Sequence, residues 1–213
     1  LREMEFNRLL SRAINFYGES NNKSNRNEKN IEKIEKINTK NYESVIDEKT
    51  FEKWLKILSE QTVISIDTET SSLNPIETDL VGLSFSYKPG KACYIPIAHK
   101  NIKGLKKDLV LKKIKPILED SSIKKVGQNI KFDYIVLKQH GIITQSIEDT
   151  MLISYTLDAG INRHNLDTLS EIHLNHKTIS YKDLVGSGKK KINFSDVDLK
   201  KATEYAAEDA DVT

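Results

Sequence analysis

Asp67 and Glu69 stand two positions apart at the end of Thr62-Val63-Ile64-Ser65-Ile66, a run with the β-branched content of a buried strand. Side chains two positions apart on a strand share a face, so the two carboxylates would point the same way. Like charges gathered and buried cost free energy unless a proton or a cation offsets them. A hard divalent cation held by oxygen ligands meets that need. The competing reading makes both acids solvated residues opening a loop. Two further pairs carry polar groups at helical spacing: Asn129 with Asp133, and Tyr205 with Asp209, each four residues apart. That spacing stacks each pair on one helix face.

The elements that would position these residues can be read from periodicity. Lys49–Leu58 has Phe51, Trp54, Leu55 and Leu58 at helical spacing, and the strand to Asp67 follows. Strands over Leu80–Tyr87 and Ala92–Ile97 flank Lys88-Pro89-Gly90 as a hairpin. Helices are expected over Lys106–Leu118, Asn129–His140, Thr150–Leu157 and Leu166–Leu174, with short strands over Ile123–Val126 and within Ile142–Ile147. Residues 178–193 read as a Gly- and Lys-rich loop. Ser195 followed by Asp198 reads as a capping box, with Phe194 and Leu199 as a staple, so the last helix is expected from Ser195 to the end. Asp149 reads as a helix cap. Strands that meander and then alternate with helices suggest an α/β fold, a mixed sheet with helices on its faces.

Composition bounds the rest. The 213 residues suffice for one domain and additional segments. Hydrophobic content of 38% and charged content of 30% suit a soluble protein, and no apolar run reaches the roughly 20 residues of a membrane span. One cysteine excludes an intramolecular disulfide and a cysteine-rich zinc site. These features point to the cytoplasm and away from a membrane. A net charge of +2 implies no strong global field, so any nucleic acid must be held by a local patch. Residues 1–16 have an amphipathic helical pattern. Residues 18–41 are Asn-, Lys- and Glu-rich and read as a flexible linker. The compact domain is expected from Tyr42 onward. Because the chain opens on Leu1 and stops within a helical pattern, it reads as a fragment of a larger protein.

The D-x-E at Asp67 and Glu69, the GQNIKFD segment at 127–133 and YAAED at 205–209 resemble the three exonuclease motifs of the DEDD 3′–5′ exonucleases, in the tyrosine subclass. DTETSSL (67–73), LVGLSFSYKPG (80–90), YIPIAH (94–99), VGQNIKFD (126–133), DTML (149–152), HKTI (176–179) and YAAEDADVT (205–213) extend the resemblance, in order, to the proofreading domains of bacterial DNA polymerase I. It covers residues 42–213. It implies a ribonuclease-H-like fold, a mixed β-sheet with helices on both faces. It also implies that residues 1–17 end a preceding 5′-nuclease domain, and that a polymerase domain of the same parent chain begins soon after Thr213.

The resemblance implies two divalent cations, magnesium or manganese, for hydrolysis of the 3′-terminal phosphodiester of single-stranded or frayed DNA, with release of 5′-mononucleotides. It assigns Asp67, Glu69 and Asp209 to the metal that carries the attacking water, and Asp67 and Asp133 to the metal near the leaving oxygen. Tyr205 would orient the water; otherwise it is a half-buried core tyrosine. Thr70, Leu73, Gln128, Asn129, Phe132, Arg163 and Tyr181 are the candidate substrate contacts. Leu73 matches a family leucine that wedges against the terminal bases, though it could also be a core residue. Phe132 and Tyr181 could stack on bases. Gln128, Asn129 and Arg163 would touch the terminal nucleotide or phosphate, or else serve helix ends and surface. Lys189-Lys190-Lys191 could touch the nucleic-acid backbone, though it reads more simply as solvated loop; Asp211 lies off the Tyr205–Asp209 face, and His164, His173 and His176 read as structural. A monomer is expected. The alternatives are an RNA-trimming enzyme like ribonuclease D, which shares the carboxylate set, and an inert spacer between nuclease and polymerase domains.

Overall fold

A computed structural model of the protein describes residues 6–17, 41–188 and 191–213. The chain divides after residue 34 into two units. In the first, the described element is helix α1, Asn7–Tyr17, which overlaps the amphipathic pattern read over 1–16 and runs one residue past it. The expected linker over 18–41 lies, apart from Asn41, outside the described residues.

The second unit is built on a six-stranded mixed sheet of order β1-β4-β3-β2-β5-β6. Its strands are β1 (Glu43–Ser44), β2 (Val63–Thr70), β3 (Leu80–Lys88), β4 (Lys91–Pro96), β5 (Lys124–Gly127) and β6 (Ile147–Asp149). β2, β3 and β4 run antiparallel in sequence, while β1 joins β4, and β5 joins β2 and β6, in parallel. β2 therefore sits inside the sheet, paired on both sides. The alternation of a strand separates two apolar layers. On β4, Cys93 and Ile95 enter one cluster and Tyr94 the other.

The first layer is filled by α2 (Glu48–Ser59), α3 (Lys107–Glu119) and α4 (Lys131–Gln139). Phe51, Trp54 and Leu58 bury one face of α2, whose first turn is closed by Asp47 accepting from the Thr50 N–H. Helices α5 (Thr150–Asp158), α6 (Leu166–Leu169) and α7 (Tyr181–Val185) precede α8 (Leu199–Val212). α8 packs across β3, β4 and β2 with Ala202, Ala206, Ala207 and Ala210 buried. Methyl side chains let the helix lie close to the sheet, which carries Asp209 to the end of β2.

Several boundaries differ from the sequence reading. The last helix does not begin at Ser195. A 3₁₀ turn spans Phe194–Asp196, closed by Asn193 accepting from Ser195, and Asp198 caps α8 through the Lys200 and Lys201 N–H groups. Two cap-forming residues compete here, and the nearer one captures the Ser195 backbone. α4 begins at Lys131, because Asn129 takes a left-handed φ of 57°, a conformation asparagine tolerates. The strand expected within 142–147 lies at β6, α6 runs on into a π-helical turn at Ser170–Leu174, and α7 falls within the expected loop.

Candidate active site

β2 remains strand through Thr70, so Asp67 and Glu69 are not residues of a solvated loop. Within the sheet Asp67 lies opposite Ser84 and Glu69 opposite Gly82 on β3. Both acids open into a cleft of about 830 Å³, to which α4 brings Asp133 and α8 brings Tyr205 and Asp209. Asp67, Glu69 and Asp209 each offer a carboxylate oxygen within 4.8 Å of the others. Asp133 stands beside this trio and is fixed by Thr68, whose N–H and hydroxyl donate to its Oδ1 at 2.9 and 2.5 Å.

Crowding and burial shift every one of these acids in the same direction. Burial raises Asp67 well above the usual carboxylate range, and Asp133, Glu69 and Asp209 add to the rise. Burial likewise raises Glu69, with Asp209 and Asp133 beside it. Asp133 is pushed up to about 7 by burial, against the opposing pull of its Thr68 bonds. Asp209 is pushed up to about 8, again by burial, with the Tyr205 hydroxyl opposing and Glu208 adding to the rise. Burial and the surrounding acids raise the Tyr205 phenol, which keeps its proton.

The donor set fits a metal ion. Glu69 is 6% exposed, and its buried Oε1 has no hydrogen-bond partner. Among the described residues no lysine or arginine pairs with any of the four acids. Clustered carboxylate oxygens that lack cationic partners suit a hard divalent cation.

A chain of aromatic contacts reaches the cleft at Tyr181 and Tyr205. Gly82 leaves room for Tyr94, whose ring a side chain at Gly82 would strike. The Tyr94 hydroxyl hydrogen-bonds His99 Nε2 at 2.8 Å. Tyr94 meets Phe194 edge-on at 6.2 Å; Phe194 lies parallel to Tyr181 at 6.4 Å and tilted against Tyr205 at 6.1 Å. Glu208, the neighbour of Asp209, holds the approach to α7. It bonds His176 Nε2 at 2.9 Å and accepts from the Ile179 N–H at 2.6 Å.

A sequence profile for the 3′–5′ exonucleases matches residues 42–213. The chain belongs to this 3′–5′ exonuclease family. Within the exonuclease family it is similar to DNA polymerase I of Rhizobium leguminosarum, at 42% identity over 81% of this chain and 19% of that protein. The chain thus spans about a fifth of the length of the curated relatives it matches. Among solved structures, Brucella melitensis NrnC with bound Mg²⁺ superposes with a TM-score of 0.53 at 25% identity, over 72% of this chain and 68% of that one. Escherichia coli RNase D, an exoribonuclease, shares the fold with a TM-score of 0.61 at 17% identity, over 81% of this chain and 42% of that one. The exonuclease fold expected from the sequence, a ribonuclease-H-like mixed sheet, is the one observed.

The cleft gathers most of the residues singled out in the sequence. Asp67, Glu69, Asp133, Tyr205 and Asp209 line it, as do Thr70, Leu73, Gln128, Asn129, Phe132 and Tyr181. Leu73 is 93% exposed and so is not a core residue. Arg163 is exposed and does not line the cleft; it sits in the turn between α5 and α6, next to His164. Gln128 reaches the cleft, but its amide is engaged: the nitrogen donates to the His164 carbonyl and the oxygen accepts from Thr150. Its side chain holds the 164 loop. The Asn129 N–H donates to Asp149, which also caps α5. His164 and His176 bond Ser154 and Glu208, and Asp211 binds Tyr42 and Gly90. Sequence reasoning missed Thr68 and Asn193, and took Lys191 for a solvated loop residue, although it lines the cleft. Thr68 reads as an ordinary β-branched strand residue; its place between two acids was the available signal.

Proposed function

We propose that residues 42–213 are a proofreading exonuclease domain that removes the terminal nucleotide from a single-stranded or frayed DNA 3′ end as a 5′-mononucleotide. One observation carries the reading: three carboxylates meet within 4.8 Å in an open cleft, with Asp133 locked beside them and, among the described residues, no lysine or arginine ion-paired with any of them. Asp67, Glu69 and Asp209 would hold one divalent cation, and Asp67 and Asp133 a second, magnesium or manganese. When bound, the pair supplies a lowered pKa for the attacking water and stabilises charge on the departing 3′ oxygen.

The chain's own residues do the rest. Thr68 fixes the Asp133 carboxylate so that one oxygen stays free for the cleft. Tyr205 keeps its phenolic proton, so it orients water by hydrogen bonding and does not act as a base. Exposed Leu73, with Phe132 and Tyr181, presents apolar and aromatic surface to unstacked bases. A cleft that accepts only unpaired ends acts faster on mismatched termini, which fray with less cost.

On this reading residues 1–17 close a preceding 5′-nuclease domain and 18–41 are a linker. The polymerase domain of the parent chain is the partner, and the protein is a cytoplasmic monomer. Among the described residues no helix is long and apolar enough to cross a membrane. The test compares degradation of matched 5′-labelled DNA and RNA single strands in magnesium and in manganese. Stepwise 3′ shortening, faster on DNA, is expected. Faster loss of RNA overturns the substrate, and no shortening of either overturns the activity.

A further inference from the structure

The proposed occupant of the cleft is a polyanion, and four carboxylates face it. Among the described residues that line the cleft, Lys191 is the one cation. Its ammonium lies 6.0 Å from the centroid of the Tyr181 ring, and among the described residues no carboxylate pairs with it. A lysine in a lysine-rich loop is ordinarily just solvated. Here the backbone around it is tied down. The Lys191 N–H donates to the Gly188 carbonyl at 3.2 Å and the Ile192 N–H to the Val185 carbonyl at 2.9 Å. The Asn193 amide donates to the Ser71 carbonyl at 3.2 Å, joining this segment to the chain that leaves β2. Ile192 and Asn193 line the same cleft. The segment is thus cleft wall, and the ammonium stands at the end of a flexible stem beside an exposed ring.

We propose that Lys191 contacts the phosphate backbone of the substrate strand next to Tyr181, and that it strengthens the cleft's hold on single-stranded nucleic acid by one charge contact. The proposal rests on the exonuclease reading above. An ammonium beside an aromatic face offers adjacent seats for one phosphate and one base, a pairing that is indifferent to sequence. It also offsets part of the repulsion from the acids, at a point where it touches the strand and not the reacting bond. The effect should therefore appear in binding and in its salt dependence.

The test measures anisotropy of a fluorescent single-stranded oligonucleotide bound by this chain in calcium, over a range of sodium chloride, alongside hydrolysis in magnesium. Lys191→Gln is expected to weaken binding about threefold at low salt, the size of a single exposed charge contact. It should also make the log–log salt slope shallower by about 0.7, the value for one phosphate on a single strand. Lys191→Arg should restore both, and in hydrolysis the loss should fall in KM more than in kcat. Lys191→Gln with unchanged affinity and slope overturns the proposal, as does a wild-type chain that binds no single strand. Binding that follows the expected pattern without hydrolysis in magnesium or manganese would sink the exonuclease reading and leave the lysine contact standing.

Discussion

A carboxylate buried beside other carboxylates keeps its place only if something holds it, and for Asp133 that is Thr68. Backbone and hydroxyl donate to the same oxygen, so the side chain cannot rotate away from its neighbours. Thr68→Val removes the hydroxyl while keeping shape and β propensity. We expect it to lower metal affinity or activity about 10–100-fold, the usual cost of losing such an orienting bond, and Thr68→Ser to recover most of it. Manganese titration of the two variants decides this; equal affinities would show that the bond positions nothing. Titration of the cluster has a definite sign. Asp133 at about 7 and Asp209 at about 8 lie above the range for unfolded carboxylates. The folded, metal-free protein therefore binds their protons more tightly than the unfolded chain does. That stabilisation is fully present below about pH 4 and is lost as pH rises through 7 and 8. The melting temperature in chelator should fall between pH 5 and 8.5, and magnesium or manganese should raise it more at pH 8 than at pH 6. A chelated melting temperature that is flat or rises over that interval would contradict the shifts.

Elements, not single residues, decide where these groups meet. Gly82 on β3 faces Glu69 and clears the space that Tyr94 fills. Tyr94, Phe194 and the two tyrosines of the cleft then form one continuous set of ring contacts. Gly82→Ala must push the Tyr94 ring aside in a well-packed layer, which costs about 1–3 kcal/mol. Urea unfolding should register that loss, and kcat should fall with it, because the displaced ring carries Phe194 and hence Tyr205. Unchanged kcat in a destabilised variant would confine the stack to stability. The D-x-E strand was legible in the sequence because alternation alone puts Asp67 and Glu69 on one face. The start of α8 was not, since Asn193, Ser195 and Asp198 are all good caps and only the tertiary setting chooses among them. Asn129 looked helical because its left-handed turn leaves no mark beyond the residue type. Two-residue β1 and five-residue α7 are too short for periodicity to register.

At the scale of the whole molecule, the topology accounts for the convergence of residues far apart in sequence. β2 lies inside the sheet, β5 beside it delivers α4, and α8 returns across β2, β3 and β4. Three distant segments therefore end at one cleft. The sequence carried the identities of the acids through their motifs, while an isolated arginine such as Arg163, exposed in a turn and not lining the cleft, carries no pattern that assigns it a place. The same convergence makes cation-dependent hydrolysis a property of the assembled fold. The deciding measurement is digestion of a 5′-labelled DNA single strand in magnesium, with a chelator control and the Asp133→Ala variant. Shortening from the 3′ end that disappears with chelator and in the variant is the predicted result; shortening that survives either one would mean that the gathered acids do not hold the ions that cut the strand.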